Sequence, residues 1–413
     1  MGKTKYTKDE VTLMDRGFEH HAHGVWIKDT SVMTDEEWLA ERQFGLGGSD
    51  IGTILGFNTF KTAVELFREK VGLNDAPKLE TRHIYWGHEA EKEILNVGQF
   101  YDFSVDPKPG RWSDAWVDNL YTYKNSEGKI DTRLREIIAF PYMCVNKDIP
   151  WLQANVDGLV NYDENSGKAA KVAEAKNTQE FVCKQYNDWV NPSYIAQGLT
   201  YSKVLQPMLL APGFEIYQKL DGNDIMARSY TLSDFEWLVD DILNESFEFY
   251  NNMVKGVEIV KNAKDKRQAI LGLRDVEPGP DDTKRYDKFI SQEFKENSTF
   301  TTADLEDYEI FEEVDEKGRE LAVVGYEDFV DENGNDAQRP RLIPVDAVKN
   351  IEKYVHAFTS YDKKVKNYTK KKALFVNTVK KFMSDYGVDE IKFGANGYVR
   401  WKSKFTPNYK KEK

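Results

Sequence analysis

The chain has little cysteine and no long apolar run. These two absences exclude several classes of protein. Only Cys144 and Cys183 occur among 413 residues. Two cysteines fit a reducing cytoplasm and exclude a four-cysteine cluster supplied by this chain alone. No apolar stretch approaches the ~18 residues of a transmembrane helix. The first residues also lack the apolar core of a secretory signal, so we expect a cytoplasmic protein without membrane association.

Basic residues are scarce over most of the chain, whose net charge is −13. Residues 351–413 hold 16 Lys/Arg and 6 Asp/Glu, which leaves 41 and 64 for residues 1–350. An acidic body with a basic tail is not typical of a general nucleic-acid coat protein. This charge distribution is compatible with an enzyme that binds DNA through a local basic channel.

The most informative stretch runs from Asp157-Gly-Leu to Glu174-Ala-Lys176. Residues 154–160 and 172–176 predict two strands joined by a turn-rich loop, which together form a hairpin. Strand side chains alternate between faces, so Glu174 and Lys176 should project to the same side. Two carboxylates that converge with an ammonium group suit a hard divalent cation that must also activate water. In so charged a chain the same spacing also arises by chance.

A glycine-rich turn, Gly45-Leu-Gly-Gly-Ser49-Asp50, leads into a helix shortly after Arg42. Backbone amides at a helix start, a serine hydroxyl and a nearby arginine suit a phosphate group. An ordinary capped helix, with Arg42 paired to an acid such as Asp50, is the structural alternative. The glycine spacing matches no nucleotide-binding loop.

Three helical stretches carry further candidates. Tyr194, Gln197 and Tyr201 recur at spacings of three and four, so they share one helix face. Residues 84–101 predict another helix, which carries Glu89 and Glu91. A basic stretch near the end includes Lys370, Lys371, Lys372, Lys380 and Lys381. These lysines either form a solvated face over an aromatic stripe or line a path for duplex DNA.

Several of these blocks together resemble the YqaJ-type viral recombinases, relatives of phage lambda exonuclease. The matching residues are, in chain order, Glu37-Trp38-Leu39, Arg42, Gly47-Gly48-Ser49-Asp50-Ile51, Gly87 with Glu91, Asp157, Glu174-Ala175-Lys176, Tyr194-Ile-Ala-Gln197 and Gly397-Tyr-Val-Arg-Trp401. Asn155-Val156 replaces the proline often found before the aspartate of such PD-(D/E)XK motifs. The resemblance covers residues 34–262 well and 350–405 loosely.

The resemblance implies an α/β fold of the restriction-endonuclease type, with a mixed central sheet flanked by helices. It divides the chain into an N-terminal segment (1–33), a PD-(D/E)XK exonuclease core (34–262), an acidic insertion or small subdomain of uncertain order (263–347) and a basic helical and hairpin extension (348–413). The implied activity is Mg²⁺-dependent resection of linear duplex DNA from the 5′ end, with Mn²⁺ as a substitute. The enzyme would act in the cytoplasm, which is that of the bacterial host if the chain is phage-encoded. Its single-stranded product would pass to a single-strand annealing recombinase.

The resemblance also assigns roles to residues. Asp157, Glu174 and the Ala175 carbonyl would hold the metal ion, and Glu91 would complete or orient a second site, with Glu89 as the competing candidate. Lys176 would orient or deprotonate water, and Gln197 would hold the lysine, the water or the scissile phosphate. Tyr194 would pack against or cap the site.

The DNA contacts and the assembly follow from the same resemblance. Arg42 and Ser49 would bind the 5′-terminal phosphate, and Lys370, Lys371 and Lys372 the duplex. By analogy with lambda exonuclease, a ring-shaped homotrimer around the DNA is expected. The rival hypotheses are a catalytically inactive DNA-binding or assembly protein with this fold, and a metal protein that binds no nucleic acid.

Overall fold

The structure is a computed structural model that divides into two compact units. Unit 1 comprises residues 1–58 and 75–252, and unit 2 comprises residues 59–74 and 253–413. The structure describes residues 8–74, 82–105, 112–115, 134–221, 224–281, 283–297, 301–305, 308–330, 335–362, 369–393, 397–400 and 408–411. None of the described helices combines the length and apolarity needed to cross a membrane.

The helices are α1 (Lys8–Asp15), α2 (Asp35–Arg42), α3 (Gly48–Ile54), α4 (Ala63–Lys70), α5 (Arg82–Gly98), α6 (Glu180–Cys183), α7 (Pro192–Val204), α8 (Glu236–Asn262), α9 (Lys266–Leu273), α10 (Lys284–Asn297), α11 (Val345–Asp362) and α12 (Thr369–Tyr386). The strands are β1 (Glu19–His20), β2 (Val25–Asp29), β3 (Leu46–Gly47), β4 (Ile137–Ala139), β5 (Tyr142–Asn146), β6 (Leu152–Asn155), β7 (Gly158–Val160), β8 (Lys171–Asn177), β9 (Gly213–Lys219), β10 (Ile225–Thr231), β11 (Thr301–Asp304), β12 (Glu309–Val314), β13 (Glu320–Val330), β14 (Asp336–Pro344), β15 (Val388–Phe393), β16 (Gly397–Arg400) and β17 (Asn408–Lys411).

Unit 1 is a mixed α/β structure with two five-stranded sheets. One sheet has the order β1-β2-β5-β6-β3 and the other the order β10-β9-β8-β7-β4. Strands β8 and β9 are parallel, whereas the other pairs of the second sheet are antiparallel. The mixed sheet expected from the sequence is therefore present, but it is accompanied by a second sheet that the sequence analysis did not predict.

The predicted strand at residues 154–160 is wrong in one respect that matters for the site. The run splits into β6 and β7, which belong to different sheets, and Asp157 lies in the break between them. The predicted hairpin is confirmed, because β7 pairs antiparallel with β8, with Gly158 opposite Ala173. A continuous apolar run cannot reveal which of its residues leaves one sheet for the next.

Helices α5 and α7 cover opposite faces of β8. Ala173 and Ala175 pack in one cluster with Ile94 and Leu95 of α5. Glu174 projects to the other face, as strand alternation requires, and there it bonds to Gln197 of α7. The helix that carries Glu91 and the helix that carries Gln197 thus both lie against the same strand.

Local sequence signals fix where several helices begin and end. Thr34 caps α2 in the predicted capping box, since its hydroxyl accepts from Glu37 N–H and the Glu37 carboxylate accepts from Thr34 N–H. Pro192 is the first residue of α7, where a proline costs no hydrogen bond. The helix predicted at residues 182–189 is shorter, because α6 ends at Cys183 and Asp188 and Trp189 have positive φ angles.

Unit 2 contains ordered structure where the sequence predicted an insertion of uncertain order. Strands β12, β13 and β14 form an antiparallel sheet, and β11, β15, β16 and β17 form a second one. The described part of residues 275–340 supplies α10 and the strands β11 to β14. Buried residues of this region, Phe294, Ala322 and Val324, share one core with Val379 and Met383 of α12. This core is formed by elements that are distant in sequence, so a search for local periodicity does not detect it.

A buried network of charges connects the elements of unit 2. Arg68 of α4 is 1% exposed and forms ion pairs with Glu277 and Glu293. Lys381 of α12 also binds Glu277, and it lies 3.2 Å from Asp385. Burial would raise the pKa of Glu277, but the charges of Arg68 and Lys381 outweigh it and lower that pKa to about 2.

The lysines of α12 do not form a single solvated face. Lys380 and Lys381 are 2% and 8% exposed, and Lys380 pairs with Asp287, so both are structural cations. The side chains of Lys370, Lys371 and Lys372 lie outside the described residues.

Removing Arg68 should destabilise unit 2, because Glu277 and Glu293 would lose a buried counter-ion. We expect Arg68→Met to lower the free energy of unfolding by about 3–5 kcal/mol, measured by urea denaturation. Arg267→Met is the matched control, since Arg267 is 40% exposed and its ion pair with Glu327 is long, at 4.0 Å. This variant should change the free energy of unfolding by less than about 0.5 kcal/mol. Equal losses in the two variants would contradict a stabilising role for the buried network.

Candidate active site

Glu174 is the most buried charged residue of the candidate site. It lies in the middle of β8 and is 1% exposed. Its Oε1 accepts hydrogen bonds from Lys176 Nζ and from Gln197 Nε2, the latter at 2.6 Å. Its Oε2 is also buried, and it has no hydrogen-bond partner among the described residues. A buried carboxylate oxygen without a partner is costly, so it marks a position where a ligand can bind.

Asp157 is brought to Glu174 by the break between β6 and β7. Its Oδ2 accepts the backbone N–H of Ala175 at 2.8 Å, which ties the aspartate to the strand that carries Glu174. The two carboxylates predicted to converge therefore do so, and Lys176 lies beside Glu174 on the same face.

The carboxyl groups of this site are crowded enough to change their acidity. Burial, and then the charge of Asp157, raises the pKa of Glu174 from 4.5 to about 8. The same two causes raise the pKa of Glu91 to about 7. Glu91 of α5 is half-buried, whereas Glu89 is exposed. Of the two glutamates that the sequence left open, Glu91 is the one coupled to Asp157.

Lys176 carries the positive charge of the cluster. Burial alone would lower its pKa, but the carboxylates of Glu174 and Asp157 raise it above the usual value. Its Nζ lies 5.2 Å from the centre of the Tyr194 ring, so Tyr194 packs against the lysine.

Gln197 connects the cluster to Tyr201. The sequence predicted that Tyr201 shares a helix face with Gln197 but assigned it no role. Besides its bond to Glu174, Gln197 Nε2 lies 3.1 Å from Tyr201 Oη. Tyr201 is 5% exposed, and burial raises the pKa of its hydroxyl. The four-residue spacing of Gln197 and Tyr201 was the only signal in the sequence for this contact.

Arg42 and Ser49 meet at the glycine-rich turn, as predicted. Arg42 Nη2 donates to Ser49 Oγ at 2.9 Å and lies 3.6 Å from Asp50 Oδ1. Its guanidinium also stacks 4.8 Å from the centre of the Trp38 ring. Arg42 therefore contacts both Ser49 and Asp50, the residue named in the structural alternative.

Two histidines near the N-terminus contact residues 162–166. His23 Nε2 is 2.9 Å from the carbonyl oxygen of Ser166, and His21 Nε2 is 3.3 Å from Tyr162 Oη.

The donor set around Glu174 suits a hard cation. Within the described ranges, no group of three or more His, Cys, Asp or Glu side chains is arranged to hold a metal ion. Two other observations favour a cation here. Oε2 of Glu174 has no hydrogen-bond partner among the described residues, and the pKa values of Glu174 and Glu91 are raised. A divalent cation would relieve the repulsion among these carboxylates and supply the missing partner.

The part of the chain that contains this cluster is similar to known proteins. Residues 37–204 match the profile of the YqaJ-like viral recombinase domain. The chain is 28% identical over 231 residues to the uncharacterized protein YqaJ of Bacillus subtilis, a match that spans 56% of this chain and 60% of that protein. Among solved structures, an alkaline exonuclease from Laribacter hongkongensis is similar with 14% identity, a TM-score of 0.36, and coverage of 55% of this chain and 96% of that one.

The raised pKa values predict how stability depends on pH and on Mg²⁺. A carboxyl group whose pKa is raised by folding contributes stability below its usual pKa of 4.5, and that contribution is lost as the pH rises through about 8 for Glu174. We therefore expect the chelator-treated protein to lose melting temperature between pH 5 and pH 8. Because Mg²⁺ binds the ionised form, it should raise the melting temperature at pH 8 more than at pH 5.5.

Glu174→Gln is the control for this measurement, because the amide keeps the shape of the side chain without its charge. In chelator its melting temperature should fall less between pH 5 and pH 8 than that of the wild type, because the carboxyl group that ionises in this range is absent. Its melting temperature should respond little to Mg²⁺. An equal Mg²⁺ response in both proteins would show that the cation binds elsewhere.

Proposed function

We propose that this chain, of which residues 37–204 match the YqaJ-like viral recombinase domain, is a Mg²⁺-dependent deoxyribonuclease that resects linear duplex DNA. The observation that carries the proposal is the cluster of Asp157, Glu174 and Lys176. The two carboxylates lie together in a buried site, where Oε2 of Glu174 has no hydrogen-bond partner among the described residues. Lys176 lies on the same strand face as Glu174. Hydrolysis of a phosphodiester needs this combination of a cation site and a positive group near the water and the phosphate.

Asp157, Glu174 and the Ala175 carbonyl would hold the cation, with Glu91 completing or orienting a second position. When bound, the cation supplies Lewis acidity toward the phosphate and lowers the pKa of water. Mn²⁺ would substitute for Mg²⁺, because both accept carboxylate oxygens.

Lys176 has two tasks in this proposal. Its ammonium group keeps Glu174 partly ionised despite burial, since its charge lowers the pKa that burial raises. It also opposes the charge that develops on the phosphate and orients the attacking water. Gln197 holds Glu174 in place through its 2.6 Å hydrogen bond, while Tyr194 limits the motion of the lysine.

The Arg42–Ser49 pair would bind the 5′-terminal phosphate of the degraded strand. Arginine and hydroxyl donors can both reach phosphate oxygens, and the half-buried guanidinium is held in place by the Trp38 ring. A phosphate would compete with the 3.6 Å contact to Asp50, which would otherwise keep the arginine in position. This end binding gives the enzyme its proposed 5′-to-3′ direction.

The wider setting of the proposal comes from the family. The product strand would pass to a single-strand annealing recombinase, and the protein would act as a ring-shaped homotrimer on DNA ends. Lys370, Lys371 and Lys372 would contact the duplex backbone. A catalytically inactive DNA-binding protein with this fold is the rival, and nuclease assays separate the two.

Lys176→Ala should abolish cleavage of linear duplex DNA while the protein stays folded. We expect the rate to fall by a factor on the order of 10²–10³ or more, because both the ionisation of Glu174 and the charge at the phosphate are affected. Lys184→Ala is the matched control, since Lys184 is 53% exposed. Near-normal cleavage by a folded Lys176→Ala protein would remove the lysine from the proposed site.

Arg42→Ala should erase any preference for 5′-phosphorylated over 5′-hydroxyl ends, measured as the ratio of initial rates on the two duplexes. Arg42→Lys keeps the charge but loses the planar fork, so it should retain only part of the ratio. If the ratio persists in Arg42→Ala, the terminal phosphate binds elsewhere.

A further inference from the structure

Helix α3 approaches α7 closely through two glycines. Gly48 and Gly52 are four residues apart, so they lie on one face of α3. They face a row on α7 made of Ser193, Gln197 and Tyr201, which also repeats every four residues. The contact lies wholly within unit 1.

The distances leave no room for side chains at these two positions. A Cβ atom on Gly52 would lie 2.0 Å from Ser193 Oγ and 3.1 Å from Ser193 Cα. A Cβ atom on Gly48 would lie 2.6 Å from Tyr201 Cε1 and 3.0 Å from Gln197 Cγ. Neither glycine has a positive φ angle. Close approach of the helices, rather than backbone conformation, therefore requires glycine here.

This contact joins the two halves of the proposed site. On the α3 side, Gly48 immediately precedes Ser49, which accepts a hydrogen bond from Arg42. On the α7 side, Gln197 donates to Glu174 and contacts Tyr201. The distance from the Arg42–Ser49 pair to the Glu174 carboxylate is thus set by how closely α3 packs on α7.

We propose that Gly48 and Gly52 are positioning residues that fix the spacing between the terminal-phosphate pocket and the cleavage site. In an exonuclease that holds the terminal phosphate, this spacing decides which phosphodiester bond reaches the carboxylates, and so the length of the released fragment. The inference rests on the proposed nuclease function. It names the helix contact that would determine the length of the product.

The test is Gly52→Ala, assayed on 5′-labelled, 5′-phosphorylated duplex with product lengths resolved on a gel. We expect the fragment-length distribution to broaden relative to the wild type. The rate ratio for 5′-phosphate over 5′-hydroxyl ends should fall on the order of ten-fold, because small misplacements of a bound substrate are costly. Mg²⁺ affinity by calorimetry should stay near the wild-type value, since the carboxylates themselves are unchanged.

A compensating variant separates spacing from general damage. Gly52→Ala/Ser193→Gly moves the small residue to the opposite helix and should restore both the length distribution and the end preference. Gly279→Ala is a matched glycine control, because a Cβ atom there meets nothing within 4 Å; it should behave as the wild type. Should Gly52→Ala fail to fold, Gly48→Ala crowds Tyr201 and Gln197 instead of Ser193 and provides the same readouts of fragment length and end preference.

The outcomes distinguish this inference from the function on which it rests. Unchanged fragment lengths and end preference in a folded Gly52→Ala or Gly48→Ala protein would overturn the inference alone. Failure of Ser193→Gly to rescue a folded Gly52→Ala protein would also overturn it. No Mg²⁺-dependent cleavage by the wild type would overturn the proposed function and the inference together.

Discussion

The burial of the Glu174 carboxylate is the constraint on which the candidate site depends. Ionising a carboxyl group away from water is expensive unless partners compensate it. Lys176 and Gln197 satisfy one oxygen, and the other oxygen has no hydrogen-bond partner within the described part of the chain. The pKa of about 8 expresses this incomplete compensation. A further positive ligand beside the second oxygen would lower the cost of ionising Glu174.

The surrounding fold serves to hold that carboxylate among the right neighbours. The break between β6 and β7 turns Asp157 toward Ala175, while α5 and α7 approach β8 from its two faces. The contact of α3 with α7 extends the same rigid unit to Arg42 and Ser49. The groups proposed to bind the metal ion, orient water and bind the terminal phosphate thus come from several separate chain segments.

Local patterns predicted much of this arrangement. Strand alternation placed Glu174 and Lys176 together, the capping box located α2, and the i, i+4 spacing aligned Gln197 with Tyr201. What the sequence could not predict depends on tertiary contacts. The split at Asp157, the burial of Lys380 and Lys381 and the ordered sheets of unit 2 all arise from neighbours distant in sequence. A lysine that pairs with a buried acid looks the same in sequence as one that faces solvent.

The most direct test of metal-dependent resection is a time course on linear duplex DNA labelled at either the 5′ or the 3′ end of one strand. The wild-type protein with Mg²⁺ should release the 5′ label in short fragments from the start, while the 3′ label stays on a progressively shortened strand. An excess of chelator should stop both changes. Stable labels in the presence of Mg²⁺, or cleavage that continues undiminished in chelator, would contradict the assignment of the Glu174 cluster as a metal-dependent nuclease site.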